Sequence, residues 1–179
     1  VTKLQAYIND CKDVYKMHEV NIASGKVIPN INGNLKIFQD RLYSGSYVIG
    51  ADVAEGLRTR DFSCAQVLNH RTGEQVAEWH GRLDPPSFAK VLKYLGIYYN
   101  DAWVVPERNN HGHTVCDYLS TDGYKNLYVE TKDDPPHGIV QKYGWLTTEG
   151  SRHQILDYLQ ESILLNTHKI NSKALLEEM

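Results

Sequence analysis

Between Tyr47 and Val129 the chain alternates short apolar runs with turn formers and helical stripes, and that order restricts the fold more than any other feature. Tyr47-Val48-Ile49-Gly50-Ala51-Asp52-Val53 is nearly continuous and apolar, as expected of a strand buried on both faces. Extended segments at 63–69 and 74–81 follow it across short loops, which predicts a three-stranded antiparallel meander. Asp84-Pro85-Pro86-Ser87 then caps a helix whose stripe is Phe88, Val91, Leu92, Leu95 and Tyr99. Ala102–Glu107 is a further strand, and its loop Arg108-Asn109-Asn110-His111-Gly112 leads into a helix carrying Val115, Tyr118 and Leu119. Asn126–Val129 is a fifth strand, and the polar, proline-bearing stretch from Thr131 to Gly144 reads as a mobile connection. Ser151-Arg152-His153-Gln154 resembles a capping box, and Ile155, Leu156, Leu159 and Ile163 give the stripe of a third helix. A meander feeding strand–helix–strand crossovers predicts an α/β domain with a mixed sheet, part antiparallel and part parallel, flanked by helices.

Residues 1–45 are weakly patterned beyond a short helix through Leu4, Tyr7, Ile8 and Cys11, and read as a connector to the domain at 46–179. The polar start at Val1 shows no signal peptide, and the abrupt ends suggest a fragment of a longer polypeptide. No apolar run reaches the roughly 18 residues of a membrane span. Three scattered cysteines, Cys11, Cys64 and Cys116, fit neither a disulfide framework nor a CxxC site and point to a reducing compartment. Nineteen Lys and Arg against 22 Asp and Glu give a formal charge of −3, so any nucleic-acid contact has to be local.

Two carboxylates stand out. Asp52 closes one apolar strand and Glu107 closes another. A buried unpaired carboxylate costs several kcal/mol, so each needs a partner, a raised pKa or a metal. Sites in open α/β sheets gather at strand ends, and two hard oxygen ligands suit Mg²⁺ or Mn²⁺ better than zinc. The plainer alternative pairs each acid with Arg58, Arg60 or Arg108. Asp61, where the next strand begins, can face the same site or cap a turn. Asp157 and Glu161 share a helix face and read as solvated charge. Arg58, Arg60, Arg108, Asn110 and His111 are candidates for DNA phosphate or the surroundings of a metal, with His113 beside them. No GxSxG elbow and no GxxxxGK[ST] loop is present, so acyl transfer and ATP hydrolysis by those routes are unsupported.

The element order is that of a ribonuclease H-like domain, and particular strings narrow the likeness. Tyr47–Gly56, then Asp61-Phe62-Ser63, then Gly73-Glu74-Gln75-Val76-Ala77, resembles the start of the nuclease domain of the large terminase subunit of tailed bacteriophages. Tyr98–Ala102, Glu107–Gly112, Gly123–Tyr128 and Gly144-Trp145 extend the resemblance over residues 45–179. It implies a metal-dependent endonuclease that cuts concatemeric viral DNA during head packaging. Asp52 matches the first catalytic acid and Glu107 the second, holding two Mg²⁺ or Mn²⁺ ions. It also implies an ATPase domain upstream in the same polypeptide, partners in the portal protein and small terminase subunit, and a place in the host cytoplasm, transiently at the procapsid portal. The family's third acid lies in a His-Asp-Asp-like segment beyond the third helix. That segment does not occur before Met179, so the resemblance implies either a domain truncated at its C-terminus or one that has lost the segment. Two alternatives stay open: a resolvase or transposase core of the same fold, and a catalytically silent domain docking to portal or DNA.

Overall fold

The computed structural model describes residues 3–55 and 61–178. The meander forms as the sequence predicts: β4 (Tyr47–Asp52), β5 (Ser63–Asn69) and β6 (Gln75–Gly81) pair antiparallel, with Asp52 opposite Cys64 and Cys64 opposite His80. Helix α2 (Pro85–Tyr98) starts where Asp84 accepts a hydrogen bond from the Ser87 N–H, with proline at its first positions, where no intrahelical donor is needed. The crossover delivers β7 (Trp103–Pro106) parallel to β4, and α3 (Gly112–Thr121) follows.

Alternation along the strands decides what each face carries. Tyr47, Ile49, Ala51, Ala65, Val67, Ala77, Trp79 and Val104 belong to one core with Phe88, Val91, Leu92 and Leu95 of α2 and Val115 and Leu119 of α3. The Trp79 and Phe88 rings lie 5.0 Å apart, and Tyr47 meets Tyr99 edge-on at the same distance. The residues between them (Asp52, Cys64, Gln66 and Glu78) share the opposite, polar face.

Residues 1–45 do more than connect. After α1 (Lys3–Asp10), β1 (Lys16–Asn21), β2 (Lys26–Pro29) and β3 (Leu35–Ile37) enter the main sheet, whose order is β2-β1-β3-β6-β5-β4-β7. Leu35 and Ile37 are fully buried against the core. β2 and β3 are short, and β1 (KMHEVN) is mostly polar with only Val20 buried, so none offers an alternation strong enough to compete with the turn formers around it. The stretch read as mobile is a hairpin, β8 (Val129–Asp134) with β9 (Gly138–Tyr143), polar because both of its faces are largely exposed. The expected fifth strand shrinks to a single parallel bridge, Val104 to Leu127, and a second bridge, Glu107 to Trp145, forms after the hairpin. In α4 (Glu149–Leu164) Thr148 and Ser151 form the capping box, three residues earlier than predicted. Of its stripe only Ile163 is buried, while Ile155 and Leu156 stay exposed. Helix α5 (Lys173–Glu178) packs against α1 and buries Leu176. The seven-stranded mixed sheet with flanking helices is the ribonuclease H-like architecture expected.

Candidate active site

The parallel register of β4 and β7 brings the two acids together. Ala51 pairs with Pro106, and the Glu107 N–H donates to the Ala51 carbonyl at 2.7 Å, so Asp52 and Glu107 leave neighbouring strand ends side by side. Asp52 remains open to solvent, yet its carboxyl is raised above the ordinary aspartate range. Partial burial at the packed strand end is the largest cause. The charge of Glu107 and a hydrogen bond with its carboxyl come next, and Asp61 adds a little. Two carboxylates this close ionise together only if a cation or a shared proton offsets the repulsion. A Cβ on Gly50, two residues back on β4 and on the same face, would meet nothing within 4 Å, so the sheet face beside Asp52 is open.

The loop after β7 fixes Glu107. Asn109 donates its amide to Glu107 Oε1 at 3.0 Å and to the Thr147 carbonyl at 3.1 Å, so a single side chain ties the acid to the segment leading into α4. The loop closes tightly at Gly112, where a Cβ would sit 1.8 Å from the Glu107 carbonyl oxygen. Only a residue without a side chain allows that approach. His111 occupies the position before α3, half-buried, and its side chain caps no helix N–H. Asn110 is exposed, with φ +47°.

Arg108 departs from its sequence reading as a contact to DNA. It is 3% exposed, donates to the Gly144 carbonyl at 3.0 Å, and pairs with Glu130 at 2.5 Å. Its guanidinium is committed to anchoring the hairpin to the site. Arg58 and Arg60 lie outside the described residues. Asp61 is exposed and close enough to act on Asp52 through its charge, but among the described residues no three His, Cys, Asp or Glu side chains stand close enough together to hold one metal ion. Asp157 and Glu161 are exposed on α4, and His113 is exposed on α3.

Sequence reasoning missed the floor of the site. Asp52, Asp61, Cys64, Glu78 and Glu178 line a groove of about 520 Å³ on the polar sheet face. Asp52, Cys64 and Glu78 share that face by period-2 alternation once the strands are paired, Asp61 enters from just before β5 and Glu178 from α5, and no local signal carries that assembly. Cys64 is held as a neutral thiol, its pKa pushed up to about 11 by burial and by Glu78. The carboxylate pair is a hard, anionic oxygen donor set, with Asn109 orienting one member. It fits a hard divalent cation through Asp52 and Glu107.

No protein-family model matches the chain, and no curated protein resembles it in sequence. Solved structures do resemble it. The large terminase nuclease from thermophilic phage G20c with bound magnesium superposes with a TM-score of 0.65 at 19% identity, over 83% of this chain and 70% of that one. This chain has the fold of the large terminase nucleases. The zinc-bound form of the same phage enzyme gives a TM-score of 0.65 at 16% identity, over 99% of this chain and 86% of that one. The Thermus phage P74-26 large terminase nuclease domain gives 0.61 at 16% identity, over 99% and 76%. No helix of the described residues is long and apolar enough to cross a membrane.

Proposed function

We propose that this chain is a metal-dependent endodeoxyribonuclease that cuts concatemeric viral DNA during genome packaging. The observation that carries the reading is the adjacency of Asp52 and Glu107 at the ends of parallel β4 and β7, on the fold of the terminase nucleases. The neighbours solved with magnesium and zinc support a divalent metal, and we assign two Mg²⁺ or Mn²⁺ ions to this site. Asp52 and Glu107 hold them, with Asp61 at the margin. Such ions supply an activated water and neutralise charge at the scissile phosphate and the leaving oxygen. The chain's own part is positional. Asn109 and the Gly112 turn orient Glu107, the β4–β7 register sets its spacing from Asp52, and the open face beside Gly50 admits the strand. Asn110 and His111 stand on the same loop as contacts to double-stranded DNA. The reading includes an ATPase domain in the same polypeptide, the portal protein and small terminase subunit as partners, and action in the host cytoplasm at the procapsid portal.

Plasmid nicking with Mg²⁺, with Mn²⁺ and with EDTA tests it, using the parent chain, Asp52→Asn and Glu107→Gln. Metal-dependent cutting that both substitutions abolish supports the assignment. Cutting that survives Asp52→Asn in a folded protein removes Asp52 from catalysis. DNA or portal binding with no cutting under any metal favours the silent docking domain.

A further inference from the structure

Across the sheet from the acid pair stands a stack of three planar side chains. Phe62, which follows Asp61, lies with its ring 4.3 Å from that of His80 at 22°. The Arg82 guanidinium carbon sits 3.8 Å over the same Phe62 ring. His80 and Arg82 are two residues apart along extended chain and leave it on the same side, so Phe62 is gripped between them. Burial does not account for the arrangement: Phe62 is 40% exposed, and both His80 and Arg82 are exposed.

Its position follows from register. His80 pairs with Cys64 and Cys64 with Asp52, so the stack flanks the row that holds the first acid, two strand spacings or about 10 Å away. That is about three base steps along a duplex axis at 3.4 Å each. Phe62 and His80 line the same groove as Asp52 and Asp61. The groove is strongly anionic, with Asp52, Asp61, Glu78 and Glu178 in its wall, and its Lys36 is already paired with Glu78 at 3.4 Å. A polyanion is repelled by such a wall unless cations frame it. Divalent ions held by Asp52 and Glu107 would offset the charge at the strand ends and would leave the far rim unserved.

We propose that Arg82, held flat on Phe62 and buttressed by His80, clamps a DNA backbone phosphate on the far side of the groove from the cut. This rests on the reading of the groove as a nuclease site. Stacking uses the guanidinium face and leaves its N–H edge for hydrogen bonds, and five donors allow a protein contact and a phosphate to be held together. Because the stack already fixes the side chain, little rotamer freedom is lost on binding.

The test is binding of a fluorescent 20-base-pair duplex across a sodium chloride series. It is run in an Asp52→Asn background so that nothing is cut, with Arg82→Ala, Arg82→Lys and Phe62→Leu added singly. Melting temperatures confirm that each variant is folded. Arg82→Ala is expected to weaken binding about tenfold and to lower the salt slope by about one. Arg82→Lys should keep the slope. Phe62→Leu should keep it too while weakening binding several-fold, because the charge remains and its placement is lost. An Arg82→Ala variant with parental affinity and slope overturns the clamp, and so does a loss on Arg82→Ala with none on Phe62→Leu. Nicking by the chain without the Asp52 substitution separates the two readings. If that chain cuts DNA and Arg82→Ala changes nothing, the clamp alone fails. If it never cuts but binds with an Arg82-dependent slope, the nuclease reading fails and the clamp stands.

Discussion

Arg108→Met tests the anchor between the site and the hairpin. The guanidinium makes two charge-assisted contacts, to the Gly144 carbonyl at 3.0 Å and to Glu130 at 2.5 Å, with the Arg108 side chain 4% exposed and that of Glu130 19%. Breaking a fully buried pair costs about 3–5 kcal/mol, because the partner charge is left uncompensated. Here Glu130 reaches water and keeps Lys132 at 3.1 Å, which lowers the expected cost to about 2–3 kcal/mol. At about 2–4 °C per kcal/mol for a domain of this size, the melting temperature should fall by about 4–12 °C. Glu130→Gln, which still accepts from Arg108, should cost about 1 kcal/mol, and the double variant less than the two singles together. The pH dependence gives an independent check. Arg108's hydrogen bond holds the Glu130 carboxyl below the ordinary glutamate range. A folded-state pKa below the unfolded one gives stability that is present above the unfolded value and lost as pH falls through the folded one. The gap between parent and Arg108→Met should therefore narrow on acidification through that window. Urea melts from pH 7 down to pH 3 measure it, and amide exchange should show β8–β9 losing protection first. A gap that is absent at pH 7, or constant over the series, would refute the anchoring argument.

Asp52→Asn should raise the melting temperature in EDTA by about 2 °C near neutral pH, since at a solvated strand end relief of like-charge repulsion is worth about 1 kcal/mol or less. The Asp52 pKa is raised in the folded state, so parental stability falls as pH rises from the ordinary aspartate range through that higher value, and the advantage of Asn should appear across that window. An Asn variant less stable than the parent at pH 7 would contradict it. Mn²⁺ should raise the parental melting temperature through binding to the folded state, and the shift should vanish in Glu107→Ala; an equal shift in that variant places the metal elsewhere. Gly112→Ala should cut nicking at least tenfold, because its Cβ drives against the Glu107 carbonyl and moves the acid; unchanged nicking by Gly112→Ala would show that the turn does not set Glu107.

Sequence alone determined the parts of this protein whose signal is local. The strand ending at Asp52, the Asp84 cap with its two prolines, the stripe of α2 and the strand ending at Glu107 are written in adjacent residues, and the structure has each where the pattern puts it. Both acids were legible for the same reason, since a carboxylate closing an apolar strand violates the local pattern. Tertiary structure decided what depends on pairing. Strands β2 and β3 are too short to announce themselves and β1 is too polar, and they join the sheet because β6 offers an edge for β3. The 129–143 hairpin looks like loop because neither face packs on the core. Arg108 looked like a phosphate contact, and only the fold shows Glu130 and the Gly144 carbonyl closing around it. The groove floor and the His80–Phe62–Arg82 stack combine residues from separate strands, their flanking loops and α5. A sequence read one neighbour at a time carries which way each side chain alternates, whereas which strand lies alongside is a property of the sheet.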